Sequence, residues 1–179
     1  MMNLPNKLTM LRVILIPFFV VFMLMELFGS ADRWIALGIF VVASLTDLLD
    51  GKIARKYNLV TNFGKLMDPL ADKLLVSAAL ICLSAQDRLA AWIVIVIISR
   101  EFIVSGLRQI AADNGIVIAA SYWGKYKTTF QMIMICLLIV HIEALTVVSA
   151  IVTWIAVILT IVSLVDYMIK NRSVFMEDK

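Results

Sequence analysis

Apolar residues run through this chain in long stretches broken only by short polar segments, and such stretches have few ways to fold. In hydrocarbon every backbone N–H and C=O must find its partner within the chain, which leaves helices and closed barrels. The runs are of helical length, and about 20 residues suffice for one helix to cross a bilayer. They predict six helices, at 8–28, 33–56, 65–85, 89–112, 123–141 and 144–170. Of the 179 residues 63% are hydrophobic, against roughly 45 to 50% in soluble domains. The expected fold is therefore all-α: a polytopic membrane protein whose single transmembrane domain occupies 1–179, with no separate soluble domain. Lys7 and Arg12 precede an apolar run as they would in a signal peptide, but no small-residue cleavage site follows Phe28, so the first helix is expected to be retained.

An even number of crossings puts both termini on one side. Of the 16 Lys and Arg residues only Arg33 and Arg88 fall on the other. By the positive-inside rule the termini are expected in the cytoplasm, the protein lying in a bacterial cytoplasmic membrane. The net charge of +3 is what such a surplus produces, and it points to no nucleic acid partner. Cys82 and Cys136, in different apolar runs, read as small buried hydrophobes, and His141 as an interfacial residue.

The polar residues inside the helices are unevenly placed. Uninterrupted apolar sequence covers only Trp34 to Thr46, Leu74 to Ala85 and Leu89 to Ser99 in helices two, three and four. The remaining turns carry Asp47 and Asp50, then Asp68, Asp72 and Lys73, then Arg100, Glu101 and Arg108, always at the cytoplasmic end. Charges in a membrane are costly and face a bundle interior or a watery cavity. Helices two to five are thus expected to enclose a polar cavity open to the cytoplasm, bordered by helix one through Thr9 and Arg12, with helix six as lipid-facing scaffold.

At roughly 100° per residue, Asp47 and Asp50 lie about 60° apart on one helix face, and Asp68 and Asp72 about 40° apart on another. The two helices are joined by the short segment YNLVTNF, so the pairs can converge. One such acid is readily explained by an ion pair with Lys52 or Lys73, but four like charges raise one another's pKa unless cations neutralise them. All-oxygen ligands select hard ions such as Mg²⁺, Mn²⁺ or Ca²⁺. Two ions balance four charges, and paired metals clamp both oxygens of a phosphoryl displacement, so the substrate is expected to carry phosphate. Gly51, Ala54 and Gly64 leave room for a bulky ligand beside the backbone, although close helix packing also uses small residues.

Together these positions read D-x2-D-G-x2-A-R-x8-G-x3-D-x3-D. This resembles the signature of the CDP-alcohol phosphotransferases, membrane enzymes that join an alcohol to a phosphatidyl or similar group and release CMP. The flanking segments NLPNKLTMLRVILIP, DPLADKLL, REFIVSGLR and GKYKT are similar to the branch that uses CDP-diacylglycerol and glycerol 3-phosphate. The resemblance implies that Asp47, Asp50, Asp68 and Asp72 hold two Mg²⁺ or Mn²⁺ ions, and that Asp72 is also the general base. It implies that Gly51, Ala54, Arg55 and Gly64 line the CDP-diacylglycerol site, with Thr9 bordering it. Arg100, Arg108, Lys125 and Lys127 are the cations available for glycerol 3-phosphate, Arg by forked contacts and Lys as a point charge. Ordinary anchoring at the membrane surface is the competing role for Lys125 and Lys127, and a structural ion pair with Glu101 the competing role for Arg100.

Alternatives within the family are acceptors such as inositol phosphate, which the cations suit equally well. A cation-coupled transporter would also bury acids, but would place them near the midplane of inverted halves. The physiological metal, the preferred acyl chains and the oligomeric state, a homodimer included, are left open.

Overall fold

The computed structural model describes the backbone of residues 4–25, 27–56, 62–113, 115, 116, 118 and 121–172, and side chains at 6–25, 27–46, 67, 70–112, 115, 116, 118 and 121–172. Among the described residues the chain is helical and contains no strand. The helices are α1 (Leu4–Leu24), α2 (Asp32–Lys56), α3 (Asn62–Ala85), α4 (Ala91–Asp113), α5 (Tyr122–Val140) and α6 (Thr146–Lys170). Each coincides with an expected apolar run to within a few residues. The largest differences are at α1, which starts at Leu4 because Pro5 is tolerated in a first turn, and ends at Leu24 before a 3₁₀ turn, Gly29–Ala31, entered through Gly29 at φ +61°. His141 closes α5 in the left-handed conformation, its N–H donating to the Leu137 carbonyl.

The chain forms two compact units, Met1–Arg88 and Leu89–Lys179. In the first, α1 packs on both α2 and α3, which also touch each other. Residues Thr9, Arg12, Ile16, Phe19 and Met23 recur every three or four positions along α1 and are buried. Phe19 meets Phe40 of α2 with ring centroids 5.9 Å apart, and Ala36 and Ala43 supply the small positions that let the helices approach. In the second unit α6 packs against both α4 and α5, with Trp92 of α4 against Trp154 of α6 at 5.9 Å.

The pattern of polarity is the inverse of a soluble bundle. On α6 the buried face carries Thr153, Ala156, Thr160, Ser163 and Tyr167. The exposed face carries Val147, Ile151, Trp154, Ile158, Val165 and Ile169. The hydroxyls of the buried face bond to carbonyls within α6, Thr153 to Ser149 at 2.7 Å and Thr160 to Ala156 at 2.7 Å, so polar atoms can sit inside. A soluble helix would bury the apolar stripe. Here that stripe faces outward, as it does where the solvent is lipid. By length and composition the spans Asn6–Leu24, in α1, and Glu143–Lys170, which is α6 with the 3₁₀ turn Glu143–Leu145 before it, are each long and apolar enough to cross a membrane. Half of the surface of α6 is thus exposed and apolar, and the other half is the polar seam on which α4 and α5 pack.

Candidate active site

The acids lie on continuous helix. Backbone is α-helical through Asp47 and Asp50 to Lys56, and again from Asn62 through Asp68 and Asp72. The angular separations within each pair therefore apply to real helices, and α2 and α3, which follow one another in the chain, touch. The side chains of Asp47, Asp50, Gly51, Ala54, Arg55, Gly64 and Asp68 lie outside the described residues. Asp72 is described and exposed, with Lys73 half-buried beside it in sequence. Among the described residues no three His, Cys, Asp or Glu side chains gather as a metal site. The donor chemistry nonetheless suits a hard divalent ion: carboxylates only, paired on one face of each of two touching helices.

One turn before Asp47, the middle of α2 is held by α1. Arg12 is fully buried and its Nε donates to the Ala43 carbonyl at 3.2 Å, which also accepts from Thr46 Oγ1 at 2.7 Å. Thr9, one turn before Arg12, is likewise fully buried. An arginine bonded to a helix carbonyl one turn before the signature ties the middle of α2 to α1.

The second unit separates the expected acceptor cations into two kinds. Arg100 and Lys127 are buried and share one carboxylate: Arg100 Nη1 lies 3.4 Å from Glu101 Oε1, and Lys127 Nζ bonds the same oxygen. Arg100 Nε also donates to Ser163 Oγ of α6 at 3.1 Å. Arg108 and Lys125 are exposed instead, Arg108 lying 5.8 Å from the centroid of the Tyr167 ring and Lys125 5.1 Å from that of Tyr122. The start of α5, where both lysines sit, is tied to α6. Ser121 caps α5 by accepting from the Trp123 N–H, and its hydroxyl donates to Asp166 Oδ2 at 2.7 Å.

Glu101, Ser163 and Asp166 were not among the expected site residues. Glu101 entered only as a neighbour of Arg100. Asp166 had a visible signal, being the one acid within the apolar sequence of α6. Ser163 had none. Because Lys127 is buried, Glu101→Ala is expected to strand its charge and destabilise the protein by on the order of 3 kcal/mol, read as a fall in thermal unfolding temperature in detergent. An unchanged temperature would remove Glu101 from the structural account.

Residues 2–162 match the family described as CDP-alcohol phosphatidyltransferase. The chain is also similar over nearly its whole length to several bacterial proteins that share the name CDP-diacylglycerol--glycerol-3-phosphate 3-phosphatidyltransferase. That of Bacillus subtilis is 48% identical over 185 residues, covering 96% of each chain. That of Rickettsia typhi is 42% identical, covering 93% of this chain and 96% of its own. That of Haemophilus influenzae is 43% identical, covering 93% and 91%.

Proposed function

The chain belongs to the CDP-alcohol phosphatidyltransferase family, and from that premise we propose that it transfers the phosphatidyl group of CDP-diacylglycerol to glycerol 3-phosphate, giving phosphatidylglycerol phosphate and CMP. The observation that carries this reading is the pairing of the complete acid signature, on two touching helices, with end-to-end similarity to relatives named for this reaction.

The site works from the residues as follows. Asp47, Asp50, Asp68 and Asp72 would hold two divalent ions, Mg²⁺ or Mn²⁺, which when bound supply charge neutralisation at the phosphates. Gly51, Ala54, Arg55 and Gly64 receive the cytidine diphosphate end of the lipid, bordered by Thr9, which is fully buried on α1. The acceptor hydroxyl oxygen attacks the phosphorus that bears the diacylglycerol. The bond from that phosphorus to the bridging oxygen breaks, and CMP departs with the electron pair. Asp72 takes the hydroxyl proton, and its exposure on α3 suits a base that must meet a water-soluble alcohol.

Glycerol 3-phosphate is a dianion. In the second unit Arg100 and Lys127 share the Glu101 carboxylate, while Arg108 and Lys125 present exposed cationic groups. Arg108→Ala is expected to raise the KM for glycerol 3-phosphate about ten- to a hundred-fold, the value of a charge-assisted hydrogen bond, with the KM for CDP-diacylglycerol unmoved. An effect confined to CDP-diacylglycerol would exchange the two subsites.

The reading includes six membrane crossings around a polar cavity, with both termini and the acids on the cytoplasmic side. It is supported by the outward apolar faces and by the bias of Lys and Arg toward one side. The deciding experiment is an assay of purified protein in detergent with CDP-diacylglycerol and a panel of alcohols, following CMP release. Glycerol 3-phosphate should be the preferred acceptor. Preference for inositol phosphate would keep the family and change the product, and no CMP release with any alcohol would overturn the reading.

A further inference from the structure

The buried face of α6 ends in two polar residues one turn apart, Ser163 and Tyr167, and each meets an arginine of α4. Arg100 Nε donates to Ser163 Oγ at 3.1 Å, and the Arg108 guanidinium lies over the Tyr167 ring, 5.8 Å from its centroid. With Trp92 against Trp154, these contacts follow one order along both helices, so α4 and α6 run parallel in a defined register. The polar end of α6 is thereby a platform under the arginines of α4.

Tyr167 is anchored far more firmly than Arg108. It is 2% exposed, and its carbonyl accepts twice from Asn171, from the backbone N–H at 3.2 Å and from Nδ2 at 2.8 Å. Arg108 is exposed, a long side chain with many rotamers. A fixed ring face within about 6 Å attracts a guanidinium and narrows that choice. Lys125 over Tyr122 is the contrasting case: Tyr122 is 77% exposed, and a ring with that freedom cannot hold its cation in one place. Among the described residues the Tyr167 hydroxyl, although buried, has no hydrogen-bond partner. A buried hydroxyl in that state costs free energy, so what this side chain contributes here resides in its ring.

We propose that Tyr167 is a positioning residue for the acceptor, its ring face fixing the Arg108 guanidinium where it meets the phosphate of glycerol 3-phosphate. This role rests on the proposed binding of the acceptor phosphate by Arg108. It gives α6, which carries no residue of the acid signature, a part in setting the geometry of the acceptor subsite.

The test is a pair of double-mutant cycles on the whole chain in detergent, built from Arg108→Ala, Tyr167→Leu and the two combined. One cycle is read in the KM for glycerol 3-phosphate, from CMP release, and the other in thermal unfolding. Tyr167→Leu should raise that KM about two- to five-fold, the value of a cation–π contact at an exposed site, with the KM for CDP-diacylglycerol unmoved. In the Arg108→Ala background it should add nothing. Tyr167→Phe keeps the ring and should restore the wild-type KM, and it should unfold no lower than the unmodified protein, because the hydroxyl it removes is unpartnered. An unmoved KM in Tyr167→Leu beside a raised one in Arg108→Ala would overturn the proposal and leave the acceptor site standing. So would an effect of Tyr167→Leu that persists without Arg108. A Tyr167→Phe variant that behaves as Tyr167→Leu would overturn it by assigning the effect to the hydroxyl. No change of KM in Arg108→Ala itself would overturn the acceptor site and the role of Tyr167 with it, while coupling in thermal unfolding would still register the contact of ring and guanidinium. Should Tyr167→Leu not fold, trifluorophenylalanine incorporated at position 167 keeps the ring shape and drains negative charge from its face. A KM equal to that of Tyr167→Phe would then overturn the proposal.

Discussion

Asp47→Asn and Asp68→Asn are each expected to abolish CMP release, as is removal of divalent cations from the unmodified protein with EDTA, and Mg²⁺ or Mn²⁺ is expected to restore turnover. This is the largest effect expected of any change to the protein. If the two pairs of carboxylates, on two helices that touch, converge as proposed, they would repel one another and bound cations would relieve that repulsion. Replacing one acid by an amide keeps its shape and removes the charge that a hard ion requires. Both variants should remain folded, because the replacement also lowers the repulsion among the acids. The checks are steady-state CMP release and thermal unfolding of each variant, with and without added metal. A variant that keeps a tenth of the wild-type kcat would exclude that residue as a metal ligand. Full activity after exhaustive chelation would falsify the two-metal reading.

Asp72→Asn is expected to differ from its partners in kind. If this residue takes the acceptor proton, the amide removes the chemistry, typically ~10² to 10⁴ in rate, while CDP-diacylglycerol still binds in the presence of metal. Position supports the separation, since Asp72 lies one turn beyond Asp68 along α3 and is exposed. Single-turnover rates set beside equilibrium binding of CDP-diacylglycerol distinguish the two roles. Parallel loss of binding and rate would leave Asp72 as a metal holder only.

The pairing found around Glu101 bears on how the second subsite is read. Arg100 and Lys127 are buried on a shared carboxylate, whereas Arg108 and Lys125 are exposed over aromatic rings. Alanine at Arg100 or Lys127 therefore disturbs folding as well as any contact with the acceptor. If the acceptor phosphate binds at these cations, Arg108 is the position at which kinetics would report on it most directly.

What the sequence determined by itself is local and repetitive. Helix positions follow from apolar runs because a membrane leaves the backbone no partner but its own turns. The facing of Asp47 with Asp50, and of Asp68 with Asp72, follows from the 3.6-residue period, which is the same in any helix. The side chains of the signature itself, Asp72 apart, lie outside the described residues, so that part of the site is legible in the spacing alone. The tertiary structure decided which charges meet. Nothing in the local pattern pairs Glu101 with Lys127, 26 positions away, sends Arg12 to the Ala43 carbonyl, 31 away, or places Ser163 under Arg100. Nor does the apolar character of α6 reveal that its sparse hydroxyls form the seam on which α4 and α5 pack. Electrostatic and hydrogen-bond energies depend on distance in space and on burial, neither of which is carried by position along the chain.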